Sequence, residues 1–399
     1  MIKYLDQVEL DNKRVLMRVD FNVPLDKEGN ITDDLRIQSA MPSIKHILEN
    51  RGRLILCSHL GRPKGKPVPE YSLKPVASHL SKILGFEVPL APDCIGSKAE
   101  EMAANLEPGK VLLLENLRYH KGETQNDPSF AAALAKLADI YVNDAFAVSH
   151  REHASVVGVP KYVSECAAGF LLKKELEYFK MAMESPARPL VAILGGAKVS
   201  SKLTAIENIL QRVDKLIIGG AMANTFLKAQ GYEVGSSLVE DDLLETAKEI
   251  LQTAHDKNIK LYLPVDAVIA QELAPDTVIK IVPIQEIPSQ WMALDIGPAT
   301  AKLFQEVIED VKTIVWNGPM GAFETDLFSQ GTRLMAEAIG SAFALSITGG
   351  GDTNAAVKKF GQQNNITYMS TGGGAFLTLL EGKELPGVKA LKECSSKGN

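Results

Sequence analysis

Short apolar runs rich in β-branched residues recur along the chain, and each ends in a loop of glycine, arginine, histidine or lysine rather than in a tight turn. RLILC passes into SHLGRP, VLLLE into NLRYHKGE, and IYVND into AFAVSHREH. Further on, LVAIL passes into GGAKVSSK, TIVW into NGPMGAFE, ALSI into TGGGDT, and TYMS into TGGG. Segments of helical period separate these runs, so the pattern predicts βαβ units and mostly parallel sheets. In such sheets the loops after the carboxyl ends of the strands line the ligand crevice, and these loops are expected to converge.

The loops fall into two chemical populations. Up to about residue 155 they carry Arg36, His59, Arg62, Arg118, His150, Arg151 and His153; beyond about residue 190 they carry Gly195, Gly196, Lys198, Lys202, Glu324 and Asp352. At 399 residues the chain exceeds what one hydrophobic core comfortably serves, so the change of loop chemistry predicts two domains, each with half of a site. Between them residues 170–189, FLLKKELEYFKMAMESPARP, read as an amphipathic helix ending at a Ser-Pro break.

A net charge of −6 argues against a general binder of nucleic acid or of a membrane surface. No apolar stretch has the length of a membrane span or a signal core, which leads to the expectation of a cytoplasmic protein. The four cysteines stand far apart without a Cys-x-x-Cys pair, so the reading is of neither a zinc ribbon nor a disulfide framework, in a reducing compartment.

Phosphate held by backbone amides needs glycine for close approach and is favoured at a helix N-terminus. TGGGDT, TGGGAF and LGGAK each lie between a strand-like and a helix-like run, where each alone could equally be a plain turn. All three together with Lys198 and Lys202 point to a polyphosphate site. Neither the P-loop nor the dinucleotide fingerprint is present. Lys198 and Lys202 would point to one spot if a helix began near KVSSK. Asp352 suits a Mg²⁺ ion held by nucleotide phosphates, and it equally suits a helix N-cap. Asp20 and Asn22, in RVDFNVP, either bond a hydroxylated ligand or close an Asx turn. The Arg and His set suits a small, highly anionic molecule.

Over essentially its whole length the sequence resembles the phosphoglycerate kinase family. The resemblance is carried, in the family's order, by RVDFNVP, SHLGRP, ENLRY, VNDAF with SHREH, LGGAKVSSK, WNGPMGAFE, TGGGDT and STGGGAF. It implies an α/β protein of two Rossmann-like lobes: 1–169 for 3-phosphoglycerate and 187–384 for ADP or ATP with Mg²⁺. An interdomain helix over 170–186 would join them, and a segment 385–399 would return to the first lobe. It further implies a monomer acting on small molecules. Carried over by position, Asp20, Phe21, Asn22, Arg36, His59, Leu60, Gly61, Arg62, Arg118 and Arg151 form the 3-phosphoglycerate site. The nucleotide site takes Gly196, Lys202, Ala293, Glu324, Gly350, Gly351, Asp352 and Thr353, with Asp352 at the metal. Arg36, Lys198, Lys202, Gly351 and Gly374 surround the transferring phosphoryl group. Ala147, Val148 and Glu152 stand where the family more often has Gly, Thr and Ala, and Ala293 replaces a usual glycine.

The implied reaction passes a phosphoryl group between 1,3-bisphosphoglycerate and ADP, with no general base, because the carboxylate nucleophile of the reverse direction is already ionised. A nicotinamide-dependent oxidoreductase would share the α/β halves but needs the missing glycine fingerprint. A non-catalytic nucleotide binder would keep the C-terminal glycines and have no use for the N-terminal Arg and His set.

Overall fold

The computed structural model describes residues 2–396 and divides into two compact units. Unit 1 is Met1–Leu176 with Glu384–Asn399, and unit 2 is Glu177–Lys383. The strands of unit 1 are β1 (Arg14–Arg18), β2 (Arg53–Cys57), β3 (Val111–Leu113), β4 (Ile140–Asn143) and β5 (Glu165–Ala168). Its helices are α1 (Leu35–Glu49), α2 (Lys74–Leu84), α3 (Ser97–Ala104), α4 (Lys121–Thr124) and α5 (Pro128–Ala135). They flank a parallel five-stranded sheet of order β3-β2-β1-β4-β5. The chain passes from unit 1 to unit 2 within α6 (Phe170–Met183).

Unit 2 contains β6 (Leu190–Leu194), β7 (Lys215–Ile218), β8 (Lys260–Tyr262), β9 (Asp266–Ala270), β10 (Ile279–Pro283), β11 (Met292–Ile296), β12 (Thr313–Asn317), β13 (Leu345–Thr348) and β14 (Tyr368–Met369). Its helices are α7 (Leu203–Ile209), α8 (Met222–Ala229), α9 (Leu244–Asp256), α10 (Pro298–Ile308), α11 (Gln330–Ser341), α12 (Gly351–Lys359) and α13 (Gly373–Leu380). A parallel six-stranded sheet has the order β14-β13-β12-β6-β7-β8. A separate antiparallel sheet, β10-β9-β11, is an addition that the βαβ pattern does not predict.

The central strands explain why their sequences are unbroken apolar runs. Every residue of β6 and of β12 is buried, because helices cover both faces of a parallel sheet and leave no polar face to alternate with. In unit 1 the core gathers Val15, Met17, Leu54, Leu56, Val111 and Val142 from the sheet against Ile37, Ile44, Val76 and Leu80 of the helices. In unit 2, Ile193, Ile314 and Trp316 pack on Phe304, Met335 and Val357.

Each parallel sheet reverses its strand order once, between β1 and β4 in unit 1 and between β6 and β12 in unit 2. The register pairs Arg18 with Asn143 and Leu194 with Asn317, so at both places two carboxyl ends stop side by side and open a crevice.

The C-terminal helix α14 (Pro386–Ser395) belongs to unit 1. Its Ala390 packs with Ala145, Val148, Val156 and Val157. Gly387 donates its amide to Ser149 O at 2.9 Å, in a space where a β-carbon would lie 2.8 Å from Val156. Of the segment expected at 385–399, residues 397–399 lie outside the described residues. The docking of α14 corrects the reading that the cysteine spacing indicates no disulfide framework. It brings Cys394 to Cys166 of β5, 228 positions away in sequence, and the two form a disulfide. Spacing along the chain carries no information about a contact made by a returning helix. Cys57 and Cys94 are free and buried. Among the described residues no helix is long and apolar enough to cross a membrane.

The start of α6 is capped by a fully buried carboxyl. Asp144, just after β4, accepts the amides of Leu171 (2.8 Å) and Leu172 (3.1 Å), while its Oδ2 has no partner. Burial pushes this carboxyl from 3.8 up to about 7 against the opposing pull of the Ser43 hydroxyl and those two amides. Between these values the folded chain holds a proton that the unfolded chain has released, so this group lowers stability as pH rises from about 4 to about 7. Asp144→Asn keeps the acceptor and removes the charge. Its stability relative to the native chain is expected to improve by on the order of 2–4 kcal/mol between about pH 5 and about pH 8, read from urea midpoints. A difference that stays constant with pH would show that Asp144 ionises in the fold as it does in water.

Candidate active site

The crevice of unit 1 is lined by the segments that follow β1, β2, β3 and β4. Asp20 follows β1 and forms an ion pair with Arg36, which lies in the first turn of α1. Asn22 Oδ1 accepts the amide of Gly61 at 2.8 Å, which joins the segment after β1 to that after β2. Arg118 donates to Gly61 O at 2.8 Å, and Asn116 donates to Leu60 O at 2.7 Å. Phe21 is buried and its amide bonds Ser58 Oγ at 2.8 Å. Leu60 is buried too, so the side chains of Phe21 and Leu60 belong to the core, and their backbone groups tie the loops together.

Arg62, Arg118, Arg151, Lys121 and His153 line a cavity of about 330 Å³. Among the described residues, none of the three arginines has a carboxylate within ion-pair distance, whereas Arg18 and Arg36 do. Burial and the neighbouring Arg151 and Arg18 push the Arg118 guanidinium down to about 10. Crowding cations in a half-buried site with no carboxylate paired to them is unfavourable until an anion arrives, and planar guanidiniums match phosphate and carboxylate. Glu152 is exposed and forms no ion pair with Arg151, so this departure from the family pattern leaves the cationic cavity intact.

His59, after β2, is buried, and burial followed by Arg18, Arg118, Arg151 and Arg36 holds its imidazole well below 6.5. The ring is therefore neutral at physiological pH. Arg18 Nη2 lies 3.2 Å from Nδ1, and a guanidinium has only donors, so Nδ1 accepts and Nε2 carries the proton. His59 thus has one N–H to donate.

Arg18 itself is the residue that the motif reading passes over. It is fully buried, and its Nε donates to Ser155 Oγ at 2.8 Å while Nη1 donates to Val19 O. Ser155 in turn donates its hydroxyl (2.7 Å) and its amide (2.9 Å) to Glu123, a carboxylate with no exposure at all. Glu123 is the counter-charge beneath the cationic crevice. The signal in the sequence was an arginine ending an apolar strand, where a solvated side chain is not expected.

In unit 2 the crevice between β6 and β12 holds Lys202. Its Nζ donates to Gly195 O (2.6 Å) and Asn317 O (2.7 Å), the carbonyls at the ends of the two strands. Burial lowers this ammonium from 10.5 to about 8, with the charge of Asp352 opposing the shift. The close approach depends on Gly318, whose φ of +105° favours glycine and where a β-carbon would sit 2.6 Å from Lys202 Nζ. The amide of Gly318 bonds Thr353 Oγ1 at 2.7 Å, and Asn317 Nδ2 bonds Gly349 O at 2.8 Å.

The first glycine run turns at Gly350, with φ +100°, so that α12 begins at Gly351 with Asp352 exposed in its first turn. The second run starts α13 at Gly373, followed by Gly374. A β-carbon on Gly373 would lie 3.7 Å from both Gly350 Cα and Gly351 N, so the N-termini of α12 and α13 are neighbours. Their unpaired amides and dipoles favour anions.

A cavity of about 340 Å³ extends from there. Gly196, Glu324 and Asp352 are among its polar lining, and Leu227, Leu238, Ile284, Met292 and Ala293 form apolar wall. That combination suits a molecule with a flat apolar end and an anionic end. Ala293 lies beside a register shift of β11 and donates its amide to Ser237 Oγ at 2.9 Å. Its methyl group belongs to the wall. Asp352 is an exposed hard-oxygen donor beside helix-start amides that favour anions, a donor set that fits a Mg²⁺ ion completed by phosphate oxygens and water.

Lys198 is not brought to this point. The helix expected from KVSSK begins only at Leu203, with Lys202 as its N-cap, because the chain turns through 199–202 first. Lys198 is exposed, and its charge acts on Glu240, which Ser200 also bonds at 3.0 Å.

Residues 5–383 match the phosphoglycerate kinase family model. A phosphoglycerate kinase of Desulfotalea psychrophila is 60% identical over 391 residues, spanning 98% of this chain and 100% of that protein. One of Geobacter metallireducens is 56% identical over 393 residues, spanning 98% and 99%. The solved structure of phosphoglycerate kinase from Coxiella burnetii superposes with a TM-score of 0.90 at 45% identity, covering 98% of this chain and 99% of that one. With a fold and a run of relatives that agree from end to end, the chain belongs to the phosphoglycerate kinase family, kinases that pass phosphate to a carboxylate acceptor.

Proposed function

We propose that the chain catalyses reversible, Mg²⁺-dependent phosphoryl transfer between 1,3-bisphosphoglycerate and ADP, giving 3-phosphoglycerate and ATP. The observation that carries this reading is the cavity of Arg62, Arg118 and Arg151, three guanidiniums with no carboxylate partner. A nucleotide-binding protein without a second anionic substrate has no need of it. A cytoplasmic role in glycolysis or carbon fixation belongs to the same proposal and rests on the family.

In this reading Arg62, Arg118 and Arg151 take the phosphate of 3-phosphoglycerate, while Asp20, Asn22 and the Nε2–H of His59 meet its hydroxyl and carboxylate oxygens. In unit 2, Lys202 exchanges its two carbonyl partners for phosphate oxygens, and the amides at the starts of α12 and α13 face the phosphoryl group. Asp352 would hold Mg²⁺. The ion would supply charge neutralisation on the phosphate oxygens. No side chain serves as base, since the attacking carboxylate is ionised near neutrality. Arg36 is bound by Asp20 in the free protein, and we assign it to the transferring group once substrate competes for Asp20. Transfer requires the two ligands to meet, and we propose that closure about α6 accomplishes this and excludes water from the phosphoryl group.

A coupled assay in both directions tests the reading. Turnover is expected with both substrates and Mg²⁺, and it is expected to stop on chelation with EDTA; a pure sample inactive in both directions would overturn it. Lys202→Ala is expected to lower turnover on the order of 10²–10³-fold and to weaken nucleotide use. Arg151→Ala is expected to raise KM for 3-phosphoglycerate and leave that for nucleotide unchanged. If titration shows both variants weakening the same ligand, the division of labour between the units is wrong. The lowered Lys202 adds a pH dependence, because its cationic form is lost as pH rises through about 8. The value of kcat/KM for nucleotide is accordingly expected to fall above that pH; a profile flat to about pH 10 would mean that the ammonium keeps its ordinary value.

A further inference from the structure

We propose that Asp93, Cys94 and His120 of unit 1 form a binding site for a single divalent cation of the zinc class, separate from the magnesium site at Asp352. A carboxylate oxygen of Asp93, the Sγ of Cys94 and a ring nitrogen of His120 all lie within 4.8 Å of one another. Among the described residues no other group of three such donors converges in this way.

The three donors are held in place by the fold. The segment carrying Asp93 and Cys94 is anchored to the sheet by a bridge between Leu90 and Leu113, and the amide of Ala91 donates to Leu113 O at 2.8 Å. His120 is the residue just before α4, and its ring packs against Phe130 with centroids 5.3 Å apart. His120 Nε2 lies 2.7 Å from Asp93 Oδ1, and the amide of Cys94 donates to that same oxygen at 2.6 Å. Metal–ligand distances of about 2.0–2.3 Å put tetrahedral ligand atoms about 3.3–3.8 Å apart, so closing the site takes shifts of about an ångström.

Cys94 forms the floor of the site, being buried, while the side chains of Asp93 and His120 are 46% and 32% exposed. The fourth position therefore faces water. Sulfur with imidazole and one carboxylate disfavours Mg²⁺ and Ca²⁺ and suits Zn²⁺ or Co²⁺. On binding, the Cys94 thiol gives its proton to solvent, the proton that His120 Nε2 shares with Asp93 moves to Nδ1 or to solvent, and that hydrogen bond is exchanged for two bonds to the metal. The ion would tie the loop at 93–94 to the segment that carries Arg118 and leads into α4.

The test uses tag-free, full-length protein stripped of metal and titrated with Co²⁺, followed by displacement with Zn²⁺. One equivalent is expected to produce the visible bands of tetrahedral cobalt and a near-ultraviolet thiolate-to-cobalt charge-transfer band, both removed by Zn²⁺. Cys94→Ser is expected to lose the charge-transfer band. His120→Gln and Asp93→Asn, at partly exposed positions that leave the core intact, are expected to weaken binding at least about tenfold. Cys57→Ser, at the other free thiol, is expected to keep the full spectrum. Absence of the band, its persistence in Cys94→Ser, its loss in Cys57→Ser, or unchanged affinity in His120→Gln would each overturn the proposal. If Cys94→Ser fails to fold, the affinity of His120→Gln decides the matter.

Discussion

A parallel sheet that reverses its strand order leaves two adjacent carboxyl ends with nothing packed across them, and that gap holds a cation in both units, fully buried in unit 1 and partly buried in unit 2. In unit 1 it is Arg18, at the end of β1 beside Asn143 of β4. In unit 2 it is Lys202, bridging the carbonyl of Gly195 just past β6 and the last carbonyl of β12. Burying a cation costs free energy unless it is paired, and the two units meet that cost differently. Arg18 has Glu123 within 4.0 Å and three further acceptors, so it is a fixed part of the scaffold. Lys202 has two carbonyls and no ion pair, so it gains more from an arriving phosphate. The first cation positions and the second is free to exchange partners.

The fixed cation also determines the chemistry above it. Because Arg18 can only donate, it settles the tautomer of His59, and burial together with the charge of Arg18 keeps that ring from taking a second proton. The exposed face of the crevice then presents donors alone from His59, Arg62, Arg118 and Arg151, with Asp20 as the single acceptor near Arg36. Such a face selects for ligands rich in acceptor oxygens. It also explains why Glu123 lies beneath rather than within the cavity, since a carboxylate at the surface would compete with the ligand for the arginines.

The strands, their parallel order and the post-strand loops were legible in the sequence because burial on both faces writes a parallel strand as an unbroken apolar run. The antiparallel β9, β10 and β11 were not. β9 is buried throughout like a parallel strand, while β10 is largely exposed, so neither shows the alternation that marks a half-buried sheet. In the crevices, the cationic and glycine-rich loops were readable from their chemistry, and the residues packed beneath them were not. Ser155 and Glu123 look like ordinary polar residues until the fold places them under Arg18. The helical spacing read between Lys198 and Lys202 did not hold, for a related reason. That spacing has meaning only on a helix, and the turn through 199–202 delays the helix until after both lysines. The bond between Cys166 and Cys394 depends on a helix that returns across most of the chain, a contact with no local trace.

The two glycine runs show how one local device acquires two uses from its neighbours. Both end a strand of the same sheet and start a helix, and β13 and β14 are adjacent, which is why α12 and α13 begin side by side. Two helix N-termini next to each other sum their positive ends, and an anion between them is held more strongly than by either alone. That sum would be largely cancelled if both carried a carboxylate. Asp352 on the first and Ala375 on the second keep one negative group at the margin, where a cation can bridge it to phosphate, and leave the second helix start uncharged. The asymmetry suits an anion shared between the two helix starts, and the fold favours it as well, since position 352 is exposed and position 375 is fully buried. An aspartate in place of Ala375 would enter a fully buried position with a second negative charge, opposing both the packing of α13 and the anion that the paired amides attract.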